Sequence, residues 1–320
     1  MSANTVSLKI CGASPARPAM RLLAVLLSVL CLWGCATVRS QTRKVVEAIP
    51  FTGERLQKKV AILPFENTTF ISDAEITQRF MSRFMDRLSA GCNGVQWLKP
   101  GDPGYPDEAV DRMPRPASGR IDNLALAEIG RTSGINAFLV GHLVGIDAEE
   151  KDEGFFIFRD THYYESVQVG LQLYDSGTGA KLMDESPKAT AEVDGAEYDA
   201  VLARDLKAVY ALDETLDRVA EIGAAQICEV LGKHPWQGYV LAVQDGKAIL
   251  SSGREIGLKA GDILEVYNAG EVIEGRMGQR FIIPGTLAGT LEITAVDDGR
   301  AEARPIDATP VAEGAAVRLK

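Results

Sequence analysis

Three histidines, five cysteines and a surplus of carboxylates are where chemistry in this 320-residue chain would most readily rest. A nucleophile needs a base in reach, and histidine is the usual one. His142 lies inside the apolar run AFLVGHLV (137–144). His234 precedes Pro235 at the end of a helical stretch, and His162 stands apart from both. None falls in a Gly-x-Ser-x-Gly or Cys-His setting, so each reads as a structural histidine and the chain as a non-enzyme. A metal centre needs clustered ligands. The chain has no C-x-x-C and no H-E-x-x-H, and His162 with Glu165 is an isolated pair, so neither a metal nor a cofactor is expected. Gly177-Thr178-Gly179-Ala180-Lys181 has the wrong spacing for a phosphate-cradling loop and reads as a hairpin turn. Asp297-Asp298-Gly299 lacks the remaining ligands of a calcium loop. Carboxylates are plentiful, but no pattern poises two of them for acid–base work.

The cysteines carry more. Residues 22–32, LLAVLLSVLCL, form an uncharged apolar run after Arg21. Eleven residues are too few to span a bilayer, which takes about 20, and the pattern reads as a secretory signal. It ends in Leu32-Trp33-Gly34-Cys35, which resembles the bacterial lipobox, with Trp33 an unusual middle residue. A plain signal peptide with a coincidental cysteine is the blander reading. As a lipobox, the cut falls before Cys35 and Cys35 carries the lipid. Two or more acyl chains anchor stably where one does not. Ala36 in place of Asp after the cysteine points to the outer membrane, periplasmic face. Met20 is a second candidate start, because residues 1–19 with Pro15 and Pro18 do not look like signal sequence. Removal of residues 1–34 deletes Cys11 and Cys31 and leaves Cys92 and Cys228. In an oxidising periplasm these are either a disulfide or two buried thiols.

The elements that would position these residues fall into two blocks. Residues 35–56 read as a lipidated tether with net charge +2. Residues 57–235, net −12, read as a mixed α+β or α/β domain, a small sheet flanked by helices. KKVAILPF (58–65) is a buried strand stopped by Pro64. Ser72-Asp73-Ala74-Glu75 is a capping box. It opens a helix with Ile76, Phe80, Phe84 and Leu88 on one stripe, ending near Gly91. Residues 95–98 form a strand. Residues 99–120, with five prolines, form a loop. Leu124, Ala127 and Ile129 sit on a helix stopped near Gly134, and residues 137–144 form a buried strand. Residues 147–153, DAEEKDE, read as a solvated acidic turn, and Phe155-Phe156-Ile157-Phe158 follows it. Val167, Val169, Leu171 and Leu173 alternate as a half-buried strand that turns at 175–179 into a return strand at 181–184. Helical spacing then dominates 197–231. Residues 236–320, net −3, show hairpin signals at Asp245-Gly246, Asn268-Ala269-Gly270 and Asp298-Gly299. They read as a small all-β, barrel-like domain, since closure removes exposed edges. The overall net charge of −10, or −13 after signal removal, lacks the basic face that nucleic acid requires.

VAILPFEN (60–67), the Gly-Cys-x-Gly-Val step (91–95), IGRTSGINAFLVGHL (129–143) and the Leu173–Gly179 hairpin (LYDSGTG) together resemble the domain shared by the curli secretion channel family and the N-terminal domain of TolB-like proteins. Gly238-Tyr239-Val240, GLKAGDILEVY (257–267) and GTLEITAV (289–296) resemble the C-terminal domain of the flagellar assembly protein T family. The resemblance implies an envelope lipoprotein that acts as an assembly, scaffold or binding factor, for a flagellar or another machine, with protein partners or copies of itself. Two other roles belong to the same relatives: a subunit of a curli-type secretion pore, and a lipoprotein regulator of peptidoglycan synthesis. A pore subunit must donate strands of about 9–11 residues with one lipid-facing side. Only residues 154–174 look available for that.

Overall fold

The computed structural model describes residues 56–69, 74–107, 121–155, 158–276, 278–306 and 311–320. All belong to one compact unit. It contains a helix-plus-sheet region and a closed six-stranded β-barrel.

In chain order the first region runs β1 (Lys58–Ile62), β2 (Glu66–Asn67), α1 (Ala74–Gly91), β3 (Val95–Leu98), α2 (Asn123–Ser133), β4 (Ala137–Phe155), β5 (Phe158–Asp175), β6 (Lys181–Glu185), β7 (Lys188–Val193), α3 (Gly195–Ala203) and α4 (Leu212–Gly232). The barrel region follows as β8 (Gly238–Gln244), β9 (Lys247–Leu250), β10 (Ile263–Tyr267), β11 (Glu271–Glu274), β12 (Arg280–Ile283), β13 (Leu287–Val296), β14 (Ala301–Pro305) and β15 (Ala316–Leu319).

The sheet order is β3-β1-β4-β5-β6, with β2 beside β4 and β7 beside β5. β1 is parallel to β3 and to β4, one on each side. Right-handed crossovers on opposite sides of β1 put their helices on opposite faces of the sheet. Alternate β1 residues obey this. Val60 and Ile62 pack with Phe80, Phe84 and Leu88 of α1 and Leu216 of α4. Ala61 and Leu63 pack with Leu126 of α2 and Phe138. The period of two in the strand therefore feeds two separate cores.

α1 and α4 run parallel, joined by charge and by a covalent bond. Arg79 and Arg83 pair with Asp213, and Arg87 with Asp217, along one edge. The Arg87 guanidinium holds the Asp217 carboxyl below its ordinary range. At the far end Cys92 and Cys228 form a disulfide, with Cα atoms 4.9 Å apart across a separation of 136 residues.

The helical spacing over 197–231 is not one helix. Arg204 adopts a left-handed φ of 60°, and a short 3-10 turn intervenes before α4. The Glu197 carboxylate of α3 then accepts from the Tyr210 and Ala211 amides, supplying the start of α4 with an acceptor. A second correction concerns residues 147–153, which are strand and not turn, because β4 pairs with β5 in unbroken register from Gly145 opposite Gln168 to Phe155 opposite Phe158. Asn268-Ala269-Gly270 likewise does not close a hairpin. It leads from β10 into β11, which pairs with β12. The capping residues Ser72 and Asp73 lie outside the described residues.

The barrel order is β10-β13-β14-β9-β8-β15, closed by β15 on β10. Its core includes Leu56, the last residue of the segment read as tether, which is 1% exposed. The β11–β12 excursion from the barrel reaches the first region. Ile282 packs on Leu124 and Ala127 of α2, and its amide donates to the Thr178 carbonyl at 2.9 Å. The Asn123 side-chain amide donates to the Gly179 and Arg280 carbonyls, both at 2.8 Å.

Candidate functional site

Two features stand out from this scaffold: a long hairpin and a polar cleft. The hairpin is β4–β5, with strands of 19 and 18 residues. Its inner half is a central part of the sheet. Val167, Val169, Leu171 and Leu173 are all fully buried, and Gly170 allows the His142 ring to lie where any side chain would collide with it. Its outer half is different. β7 accompanies β5 only between Tyr163 and Gln168. Beyond Ala148 and Tyr163 neither strand has another strand beside it among the described residues. Residues 149–154 and 159–161 are exposed. Seven further residues of β4 (149–155) and five of β5 (158–162) carry the arm roughly 15–20 Å outward.

Polar contacts hold the arm together. Thr161 donates to Asp152 (3.1 Å) and Tyr164 to Glu153 (2.8 Å). Lys151 lies 4.9 Å from the centre of the Tyr164 ring. His162 Nδ1 meets Glu192 of β7 at 2.6 Å, which raises the His162 pKa. Successive residues of a strand point to opposite faces. Glu149, Lys151 and Glu153 therefore occupy one face and Glu150 and Asp152 the other. The strand ends bracket Phe155-Phe156-Ile157-Phe158, of which Phe156 and Ile157 lie outside the described residues.

The arm begins where the apolar stripe stops. Glu165 is next after Val167 on the same face, is fully buried, and neither carboxylate oxygen has a hydrogen-bond partner. The Thr215 hydroxyl of α4 lies beside it but donates to the Ala211 carbonyl at 3.2 Å. Burial raises the Glu165 pKa. Thr215 opposes the shift, Glu197 adds to it and Arg218 opposes it.

The cleft, of about 340 Å³, lies where the barrel meets the sheet. The last turn of α2 presents Arg131, Gln237 stands just before β8 and Tyr239 within it, β10 ends in Tyr267, and β15 presents Arg318. Gly134 ends α2 in a left-handed conformation, where a Cβ would stand 2.1 Å from the Ser251 carbonyl oxygen. That close approach brings α2 against the barrel wall.

Of the residues singled out from the sequence, Cys35 lies outside the described residues. Cys92 and Cys228 are joined. His142, His162 and His234 are far apart in the fold's elements, in β4, in β5 and after α4. Among the described residues no group of three or more metal-ligating side chains comes together. No helix among them is long and apolar enough to cross a membrane. The cleft was not read from the sequence. Its residues come from seven separate segments, and Arg131 and Arg318 carry no motif.

No family model matches the chain, and no curated protein matches it. Similar solved structures include a hypothetical protein from Chlamydia trachomatis (12% identity, 56% of this chain and 99% of that one, TM-score 0.35). A lipoprotein from Neisseria meningitidis is 12% identical over 47% of this chain and 96% of its own, with a TM-score of 0.28. The PelC dodecamer from Paraburkholderia phytofirmans is 16% identical over 54% and 89%, also with a TM-score of 0.28. Likeness at this level assigns neither family nor role. The two family resemblances rest on the sequence motifs alone.

Proposed function

We propose that the chain is an outer-membrane lipoprotein, anchored through Cys35 on the periplasmic face. In this reading it acts without catalysis as an assembly, scaffold or binding factor for an envelope machine, a flagellar one included. The observation that carries the reading is the β4–β5 arm. A two-stranded ribbon without further neighbours is only marginally stable by itself, so a fold that extends one into solvent gains nothing in stability from its outer half. A contact arm accounts for it. The charged flanks keep the ribbon from pairing with stray strand edges, and the ribbon's exposed edges are the surface offered to a protein partner or a second copy of the chain.

The strands as wholes exceed the 9–11 residues a bilayer needs, but the part beyond the sheet, seven residues of β4 and five of β5, falls short of that. Its faces argue against a pore as well. A pore strand must turn one uncharged face to lipid, and here Glu149, Glu150, Lys151, Asp152 and Glu153 charge both faces. The assembly reading is therefore preferred.

The test is genetic complementation. Deleting the gene should impair motility or envelope integrity. A chain in which residues 152–161 are replaced by a two-residue Asn-Gly turn, which leaves the partners Lys151 and His162 on either side of it, should melt as the parent does but fail to restore the phenotype. Full restoration by the armless chain would overturn the role given to the arm. Cys35→Ala should abolish incorporation of a labelled fatty acid, and retained labelling would overturn the anchor.

A further inference from the structure

We propose that the cleft between sheet and barrel binds a small soluble phosphomonoester, with its phosphate held between Arg131 and Arg318. This inference does not depend on the assembly reading or on the arm.

The argument starts from charge. The chain as a whole carries −10, yet the cleft is lined by Arg131 and Arg318 beside one carboxylate, Asp175. The buried Lys58 also lines it, with its ammonium already donating to the Leu231 carbonyl at 2.9 Å. Two guanidinium groups suit a phosphomonoester, which bears about −1.5 to −2 at neutral pH. Asp175 is already engaged, since its Oδ2 accepts from the Thr178 amide (2.8 Å) and hydroxyl (2.6 Å). Glu265, near the mouth, accepts from the Tyr267 hydroxyl at 2.7 Å. Neither arginine has a carboxylate partner among the described residues, although acids outnumber bases in the chain.

The two guanidinium groups are also held in place. Arg131 lies over the Tyr239 ring, 4.8 Å from its centre, and Arg318 over the Tyr267 ring at 5.0 Å. Stacking fixes the plane of a guanidinium and leaves its N–H edge to face an oxyanion. The Nε of Arg131 is buried without any acceptor. A buried donor left unpaired costs about 1–3 kcal/mol, and a bound oxyanion would satisfy it. Arg318 donates to Gln237 Oε1 (3.1 Å), and Gln237 in turn donates to the Tyr239 hydroxyl (3.1 Å). No described group accepts the proton of that hydroxyl. Burial pushes the Tyr239 pKa well up, so the group remains a donor.

The cleft walls are fastened on three sides. Asn136 donates to the Gln237 carbonyl at 2.6 Å, Lys59 pairs with Glu255 at 2.6 Å, and the β11–β12 excursion is bonded to the β5–β6 turn through Ile282. Donors contributed by α2 and by the barrel to a fastened cleft need little reorganisation to bind. The volume lies at the lower end for small-molecule sites and leaves room for a compact polar body beside the phosphate.

Calorimetric titration of the full chain, in nonionic detergent and phosphate-free buffer, tests this with two soluble probes, glucose 6-phosphate and inorganic phosphate. At least one should bind saturably at a single site. Binding should weaken about 10- to 100-fold in Arg131→Gln and in Arg318→Gln, the equivalent of one charge-assisted hydrogen bond. Asn268→Glu, an exposed rim substitution, should weaken binding in the same direction without altering a buried contact. It serves if the arginine variants fail to fold. Vesicles containing phosphatidic acid form a third arm, since that lipid presents the same chemical group. Competition of vesicle binding by soluble glucose 6-phosphate supports the site. Absence of binding by both soluble probes, binding confined to vesicles, or binding unchanged in the variants overturns it.

Discussion

The inner and outer halves of the β4–β5 hairpin are one continuous ladder, yet they obey different rules. In the inner half every odd residue of β5 from Val167 to Leu173 is buried against α1 and α4. In the outer half the ladder continues with water on both faces. Glu165 marks the change. The backbone pairing does not register the boundary at all, but the packing does. Hydrogen-bonded register and tertiary burial are thus separable properties of the same strands. Function that needs an exposed surface can be built on the pairing alone. The most decisive experiments are those that treat the two halves unequally.

The largest effect belongs to the scaffold beneath the inner half. The Cys92–Cys228 bond closes a loop of 136 residues, for which the chain-entropy model gives about 4–5 kcal/mol, less where native strain intervenes. The Cys92→Ser/Cys228→Ser double variant should lose a large part of that in denaturant melts. An unchanged midpoint would show that the ion pairs of Arg79, Arg83 and Arg87 hold α1 to α4 unaided. Next comes Leu171→Ala, in the inner half, expected to cost about 2–5 kcal/mol as a core truncation. Lys151→Ala in the outer half should remain within about 0.5 kcal/mol. Equal costs at the two positions would abolish the distinction between the halves.

Glu165 sharpens the boundary itself. Its folded-state pKa is raised above the ordinary 4.5 because burial disfavours the charged form. The sign follows from linkage. The stability tied to this group is fully present below the ordinary value and is lost as pH rises through the raised one. Thr215, Glu197 and Arg218 face it from the helices, and none forms a bond with it that would offset the loss. Glu165→Gln should therefore gain in melting temperature over the parent as pH rises from 4 to 8, with the two converging near pH 4. A difference that stays constant with pH would mean that Glu165 has found a partner.

Much of the inner architecture was legible in the sequence, and the reasons are local. The stripe of Ile76, Phe80, Phe84 and Leu88 has helical spacing and is buried as one face. Asp245-Gly246 makes the β8–β9 turn with both φ values positive. The arm was not legible. DAEEKDE has the composition of a turn, and strand pairing across it continues the register that Gly145 and Ile146 set with Gln168 and Val167. The break at Arg204 was hidden for a similar reason. No glycine or proline marks it, and the apolar spacing of Val201, Leu206 and Val209 continues through it. Leu56 was assigned to the tether because its burial depends on a barrel 180 or more residues downstream. The cleft was invisible because its arginines are drawn together by long-range contacts between the sheet region and the barrel, Gly134 against Ser251 and Asn136 to Gln237 among them.

The smallest expected effect lies at the hinge of the arm. His162 belongs to the outer half, and Glu192 belongs to β7, the last strand that supports the inner half. Their contact is exposed, so its contribution to global stability is screened, and the informative readout is the histidine itself. The hydrogen bond to Glu192 favours the charged imidazole, desolvation opposes it, and the charges of Glu192 and then of Glu153 and Asp160 in the arm add to the attraction. The folded pKa is raised, so this tether is strongest below the ordinary value of 6.5 and weakens as pH rises through the raised one. An NMR titration should place the His162 pKa above 6.5 in the parent and bring it back toward that value in Glu192→Gln. Asp160→Asn should move it less, since that carboxylate acts only through space. If Glu192→Gln leaves the titration unmoved, the arm is not tied to β7 at this point. The boundary between the halves then lies at Glu165 alone.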